Sequence, residues 1–299
     1  MLAAMQANLY ALGAIALWAT LASLGVSLKH VPPFLLTGLA LIIGSVLALP
    51  FVIKDRRQWA VSPRTLGLGV FTLFGFHFLL FIGLRIAPAV EVNLVNYLWP
   101  LLIVVLAPLY LPGVQLHRVH VIAALVGFAG AALAILGGRD PAGAATSNAA
   151  WSAGLGYLLA LGSACIWANY SLQTKRIELK GQSFSTAAIG LFGLVSGLLS
   201  LLCHVALEPQ VTLSGQDWLL LAVMGLGPLG AAFFLWDKAL KRGDARQIGI
   251  LSYLTPLSST ALLMLVSGRT LTWSIGLAAV MIIGAALLGT RARVRKIRR

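Results

Sequence analysis

NLVNYLWPLL, residues 93–102, sets two asparagines, a tyrosine, a tryptophan and a proline inside an otherwise apolar run. Its centre recurs later in the chain, where VNYLWPLL (95–102) aligns with LSYLTPLS (251–258) at an offset of 156 positions. The same offset pairs Leu84 with Leu240, Arg85 with Lys241 and Ala89 with Ala245. Near the start of each half, GAIALWAT (13–20) resembles GSACIWAN (162–169). The chain therefore reads as two similar halves, each with one proline-interrupted segment.

Composition says what kind of segment this is. Of 299 residues 59% are hydrophobic and 10% charged, with a mean hydropathy of +0.92. Soluble domains carry about 25% charged residues, so this chain belongs in a bilayer. A span needs roughly 20 apolar residues. The charges divide the sequence into ten such runs, at 7–28, 33–53, 65–84, 90–111, 118–137, 152–174, 185–207, 216–236, 245–266 and 272–290. The fold class expected is all-α and integral to the membrane, with ten transmembrane helices. Residues 1–138 form a first five-helix repeat, 139–150 a Gly/Ala/Ser-rich linker, 151–290 a second repeat and 291–299 a basic tail. Five is odd, so equivalent helices cross in opposite directions. That makes a 5+5 inverted-topology repeat, which places a substrate site near the midplane between the halves.

The net charge of +14 does not call for nucleic acid. Of the 22 Lys and Arg residues, 18 fall on the side shared by both termini and the loops after even-numbered spans; Lys29, Arg85, Arg139 and Arg269 fall on the other. Short loops biased this way mark the cytoplasmic face, so both termini are expected in the cytoplasm. The two cysteines, Cys165 and Cys203, lie in spans and imply neither disulfide nor metal. GLGPLG (225–230) has the glycine spacing of a dinucleotide loop but lies in a span, where helix packing and a kink at Pro228 explain it better. No cofactor is expected.

At 1.5 Å per residue, Asn96 and Tyr97 lie roughly 9–10 Å into the membrane and Pro100 about 15 Å. Pro100 and Pro256 each lack an N–H, which deprives the carbonyls of Asn96 and Ser252 of helical partners. These carbonyls should face protein, water or substrate. Asn93, Asn96, Tyr97 and Pro100 share one helix face, and Tyr253 occupies the depth matching Tyr97. Further aromatic faces come from Phe74, His77, Phe81 and Arg85 with the adjoining Phe78, from Trp167 with Ser163, Tyr170, Ser171 and Thr174, and from Trp18. Together they suggest a cavity lined by Trp18, His77, Phe78, Phe81, Asn93, Asn96, Tyr97, Trp99, Trp167 and Tyr253, hinged at Pro100 and Pro256.

The LWAT and IWAN tryptophans, the YLWPL and YLTPL kinks and the small-residue spans that follow are similar to those of the drug/metabolite transporter superfamily, in particular its EamA-type exporters. The resemblance covers nearly the whole chain. Its aromatic faces look most like the YddG-type exporters of aromatic and other neutral amino acids. The resemblance implies a bacterial inner-membrane transporter, not an enzyme, sufficient as a monomer. Its substrate would sit in a central cavity built from spans 1, 3, 4 and 6 and their equivalents, and helix groups would rock about the prolines.

No span centre carries Lys or Arg for a phosphorylated substrate. Glu91 is expected at the outer mouth of span 4 and Asp237 at the inner end of span 8, neither deep. A zwitterionic amino acid fits better, held by amides, hydroxyls and carbonyls with its side chain on the aromatic rings. The absence of a deep carboxylate points to facilitated transport, with His77 as the one deep ionisable group. The alternative is a multidrug or quaternary-amine exporter, since aromatic faces also attract cations.

Overall fold

A computed structural model describes residues 2–137, 150–267 and 273–297; the linker up to residue 149, Arg139 and Arg269 lie outside them. No strand occurs among the described residues. Eight helices are long and apolar enough to cross a membrane: α1 Ala4–Ser27, α2 Pro33–Lys54, α3 Pro63–Ile86, α4 Ala89–Tyr110, α5 Arg118–Leu136, α6 Ala153–Leu179, α7 Ala188–Leu207 and α8 Gly215–Arg242. The ninth, α9, is in two pieces, Ala245–Leu251 and Leu254–Ser267, and α10 is Trp273–Ile297.

The packing carries the two-fold relation read from the sequence. α3 lies along α6 as α8 lies along α1, while α2 pairs with α7 and α5 with α10, each with its own equivalent. Small residues make the α2–α7 approach possible. A Cβ on Gly197 would lie 2.8 Å from the carbonyl oxygen of Gly38, and one on Gly38 would lie 3.0 Å from that of Gly197. Without side chains there the two backbones meet directly, which is how membrane helices gain dispersion energy in the absence of a hydrophobic driving force.

Both proline segments break their helices. The straight part of α4 ends at Asn96 and resumes at Trp99; that of α9 ends at Leu251 and resumes at Leu254. The breaks abut, since a Cβ on Gly249 would touch the Pro100 carbonyl oxygen at 3.3 Å. The turn also answers part of the hydrogen-bond problem. Thr255 donates its N–H to the Ser252 carbonyl at 2.9 Å, so the carbonyl expected to be free is satisfied by a tightened turn of its own helix. In α4, Tyr97 donates to the Asn93 carbonyl and Leu98 to that of Val95.

α8 departs from expectation. It continues to Arg242, past the expected end at 236, because a charge ends a hydropathy window without ending a helix. The Lys238 ammonium and the Arg242 guanidinium lie over the Tyr10 ring, at 5.7 and 5.2 Å from its centroid. Midway, Gly227–Ala231 forms a single π-turn around Pro228. A π-turn misaligns backbone groups, and here the Pro228 carbonyl accepts the Trp18 indole N–H of α1 at 3.1 Å.

Candidate functional site

Four tryptophans meet where the two halves pack: Trp18 of α1, Trp99 at the α4 break, Trp167 of α6 and Trp236 of α8. Trp18 lies 5.8 Å from Trp167 and 5.2 Å from Trp236; Trp99 lies 6.2 Å and 5.5 Å from the same two rings. Phe233 packs on Trp18 and Trp167, and Phe76 and Tyr170 close the edge on Trp167. The rings are mostly tilted or edge-on, arrangements worth about 0.5–1.5 kcal/mol per pair beyond burial. All four indoles are buried, with Trp18 the most accessible at 8%. Trp236 anchors the cluster through its N–H, which donates to Ser171 Oγ at 3.3 Å.

Of the residues read from the sequence as lining a cavity, Trp18, Trp99 and Trp167 are brought together here. Asn96 is close behind: Ser163 of α6 donates its hydroxyl to Asn96 Oδ1 at 2.8 Å, tying the α4 break to α6. Tyr110 makes a parallel tie, donating to Asn169 Oδ1 at 3.0 Å. Asn93 and Tyr97, both partly exposed, continue that segment. Pro100 and Pro256 are buried within the breaks.

His77, Phe78 and Phe81 belong to a second aromatic group. His77 Nδ1 bonds the Leu73 carbonyl at 2.6 Å, and its ring packs against Phe76 and Phe81. Phe78 and Phe81 both pack on Phe34. Tyr253 goes elsewhere: it is fully buried in a separate apolar cluster with Ala131 of α5 and Ile282 of α10.

Two charged clusters went unread in the sequence. The Glu208 carboxylate, following α7, accepts the N–H groups of Phe34 and Leu35 at the start of α2 at 3.0–3.1 Å. It also pairs with Arg85 of α3 and bonds His204 Nδ1 at 3.0 Å. The Asp237 side chain, in α8, is fully buried within the protein. Its Oδ2 accepts from Lys241 Nζ at 2.7 Å and from Thr186 Oγ1 at 2.6 Å. Both carboxylates are buried within the protein, Asp237 five residues before the end of α8 and Glu208 directly after α7. Their sequence signal was weak: Glu208 lies 123 positions from Arg85, and only the spacings of four in Asp237–Lys241 and His204–Glu208 are local.

Comparison with known proteins agrees with this architecture. The chain matches the EamA-like transporter family twice, over residues 5–136 and 154–291. The aromatic amino acid exporter YddG of Ancylobacter novellus is 38% identical over 95% of this chain and 97% of its own length. The exporter of the same name from Salmonella typhimurium is 30% identical over 95% and 96%. A crystal structure at 36% identity superposes with a TM-score of 0.88, covering 98% of this chain and 99% of that one. Two family matches that span both halves, relatives aligned nearly end to end and a shared fold lead to one conclusion: this chain belongs to the EamA-like transporter family.

Proposed function

We propose that this transporter exports aromatic and other neutral amino acids across a bacterial inner membrane by alternating access, as a monomer with both termini in the cytoplasm. The observation that carries the reading is the four-tryptophan cluster at the junction of the two halves. Relatives named as aromatic amino acid exporters support it. An aromatic side chain can replace the ring-on-ring contacts that Trp18, Trp99, Trp167 and Trp236 make with one another, so opening the cluster to substrate exchanges like contacts for like. The α4 and α9 breaks give the two halves places to bend without breaking helical hydrogen bonds in lipid. Residues 1–138 and 151–290 act as the two repeats, joined by residues 139–150.

The test is efflux from proteoliposomes loaded in turn with phenylalanine, tryptophan, alanine and threonine. Faster flux of the aromatic pair supports the reading; a preference for cationic dyes over every amino acid sinks it. A second reading, proton-driven export, has the buried carboxylates Asp237 and Glu208 in its favour. Substrate driven uphill by an imposed pH gradient would establish it.

A further inference from the structure

We infer that Asp237 is a binding group for the α-ammonium of the substrate, resting on the reading of that substrate as an amino acid. The carboxylate is half used. Oδ2 carries both hydrogen bonds, from Lys241 and Thr186, while Oδ1 is buried and has no hydrogen-bond partner among the described residues. Buried polar atoms are rarely left bare. A bare oxygen on an ionised carboxylate calls for a donor.

The position suits an ammonium attached to an aromatic group. Asp237 follows Trp236 in the sequence of α8, and Trp236 belongs to the tryptophan cluster. Tyr170, whose ring lies 5.9 Å from Trp167, is within electrostatic range of it. On the far side the Lys241 ammonium lies 4.1 Å from the Phe184 ring centroid and donates to the Phe184 carbonyl at 2.7 Å. Lys175 Nζ donates to the Lys241 carbonyl at 3.1 Å, and Glu178 contributes a more distant negative charge. Lys241 already balances the charge of Asp237, so a net-neutral zwitterion adds no unpaired charge. Its ammonium brings up to three N–H donors to an oxygen that has none.

The experiment uses the full chain in proteoliposomes and measures phenylalanine efflux against two analogues, phenethylamine, which keeps the ammonium, and 3-phenylpropionate, which keeps the carboxylate. In the unsubstituted protein phenethylamine should inhibit at a concentration at least tenfold lower than 3-phenylpropionate. Asp237→Asn should raise the KM for phenylalanine at least tenfold and erase the difference between the analogues, with a single symmetric gel-filtration peak as the folding control. Equal inhibition by the two analogues, or an Asn variant with unchanged KM and unchanged preference, overturns the inference alone. Absence of any phenylalanine flux removes the reading of the substrate, and this inference with it. The analogue comparison needs no variant, so equal inhibition overturns the inference even where Asp237→Asn fails to fold.

Discussion

Arg85 and Lys241, 156 positions apart, each lie over the ring of a phenylalanine, Arg85 5.4 Å from the centroid of Phe34 in the first turn of α2 and Lys241 4.1 Å from that of Phe184, four residues before α7. Each also pairs with a carboxylate, Arg85 with Glu208 and Lys241 with Asp237. The repeat thus sets a cation over a ring in each half, while both acids come from the second half, Glu208 directly after α7 and Asp237 on α8.

Glu208 joins three helices through the start of α2, Arg85 of α3 and His204 of α7. Glu208→Gln keeps the shape but weakens charge-assisted bonds worth about 1.5–3 kcal/mol each. The variant should unfold at a lower temperature in detergent than the unsubstituted protein. Phe34→Leu keeps the backbone N–H bonds to Glu208 and removes the ring contacts with Arg85, Phe78 and Phe81, so it reads the ring contribution alone, about 0.5–1.5 kcal/mol for each aromatic pair.

The α2–α7 crossing tolerates no added carbon. Gly197→Ala places a Cβ 2.7 Å from Ile42 Cγ1 and 2.8 Å from the Gly38 carbonyl oxygen, and backbone cannot turn aside as a side chain can. A loss of about 1–3 kcal/mol is expected, read as a lower thermal midpoint. Gly67→Ala on α3, where a Cβ would meet nothing within 4 Å, is the control and should leave the midpoint unchanged.

Trp99→Ala removes edge contacts with Trp167 and Trp236. Efflux of phenylalanine and tryptophan should fall more than that of alanine and threonine, by the about 0.5–1.5 kcal/mol such ring pairs contribute. Asn96→Ala frees Ser163 and loosens the α4 break, so it should slow every substrate alike. Unchanged rates across the panel in both variants would make this face packing alone.

The turn between α8 and α9 offers a pH test. Asp244 caps the first piece of α9 and accepts from the backbone N–H, Nε and Nη2 of Arg246 at 2.7–3.1 Å. Burial opposes its ionisation, but the Arg246 bonds outweigh burial and hold its carboxyl below the usual value. A lowered folded pKa stabilises the fold above the unfolded carboxylate value near 3.8, and that contribution disappears as pH falls through the lowered folded value. Asp244→Asn keeps the cap but gives up the charge facing Arg246, so it should cost up to about 1 kcal/mol at neutral pH, a deficit that shrinks as the detergent-solubilised protein is acidified.

Orientation is testable by fusion. A reporter active only outside the cytoplasm should be silent after Arg299 and active within residues 138–150. Equal activity at both places would overturn the inverted arrangement of the halves.

How much of this was legible in the sequence depends on what kind of signal each part leaves. The breaks at 97 and 252 could be read because proline removes a donor at a fixed place, and the repeat could be read because its segments are contiguous. Trp18, Trp99 and Trp167 could be marked as aromatic at depth, but Trp236 could not, because Asp237 closed the hydropathy window beside it. Tyr253 matched Tyr97 in register and still packs against α5, where a Cβ on Gly127 would lie 2.5 Å from its ring. Register fixes depth in the membrane and leaves open which neighbour a side chain meets. Beyond His204, Glu208 depended on contacts with Phe34, Leu35 and Arg85 more than a hundred residues distant, which no local pattern records.

Indole rings held 5.2–6.3 Å apart share their excited states. The near-ultraviolet circular dichroism of this protein should show a split couplet from Trp18, Trp99, Trp167 and Trp236. Any solute that parts the rings must reduce that couplet, so the protein carries a built-in optical readout of whether its central cage is shut.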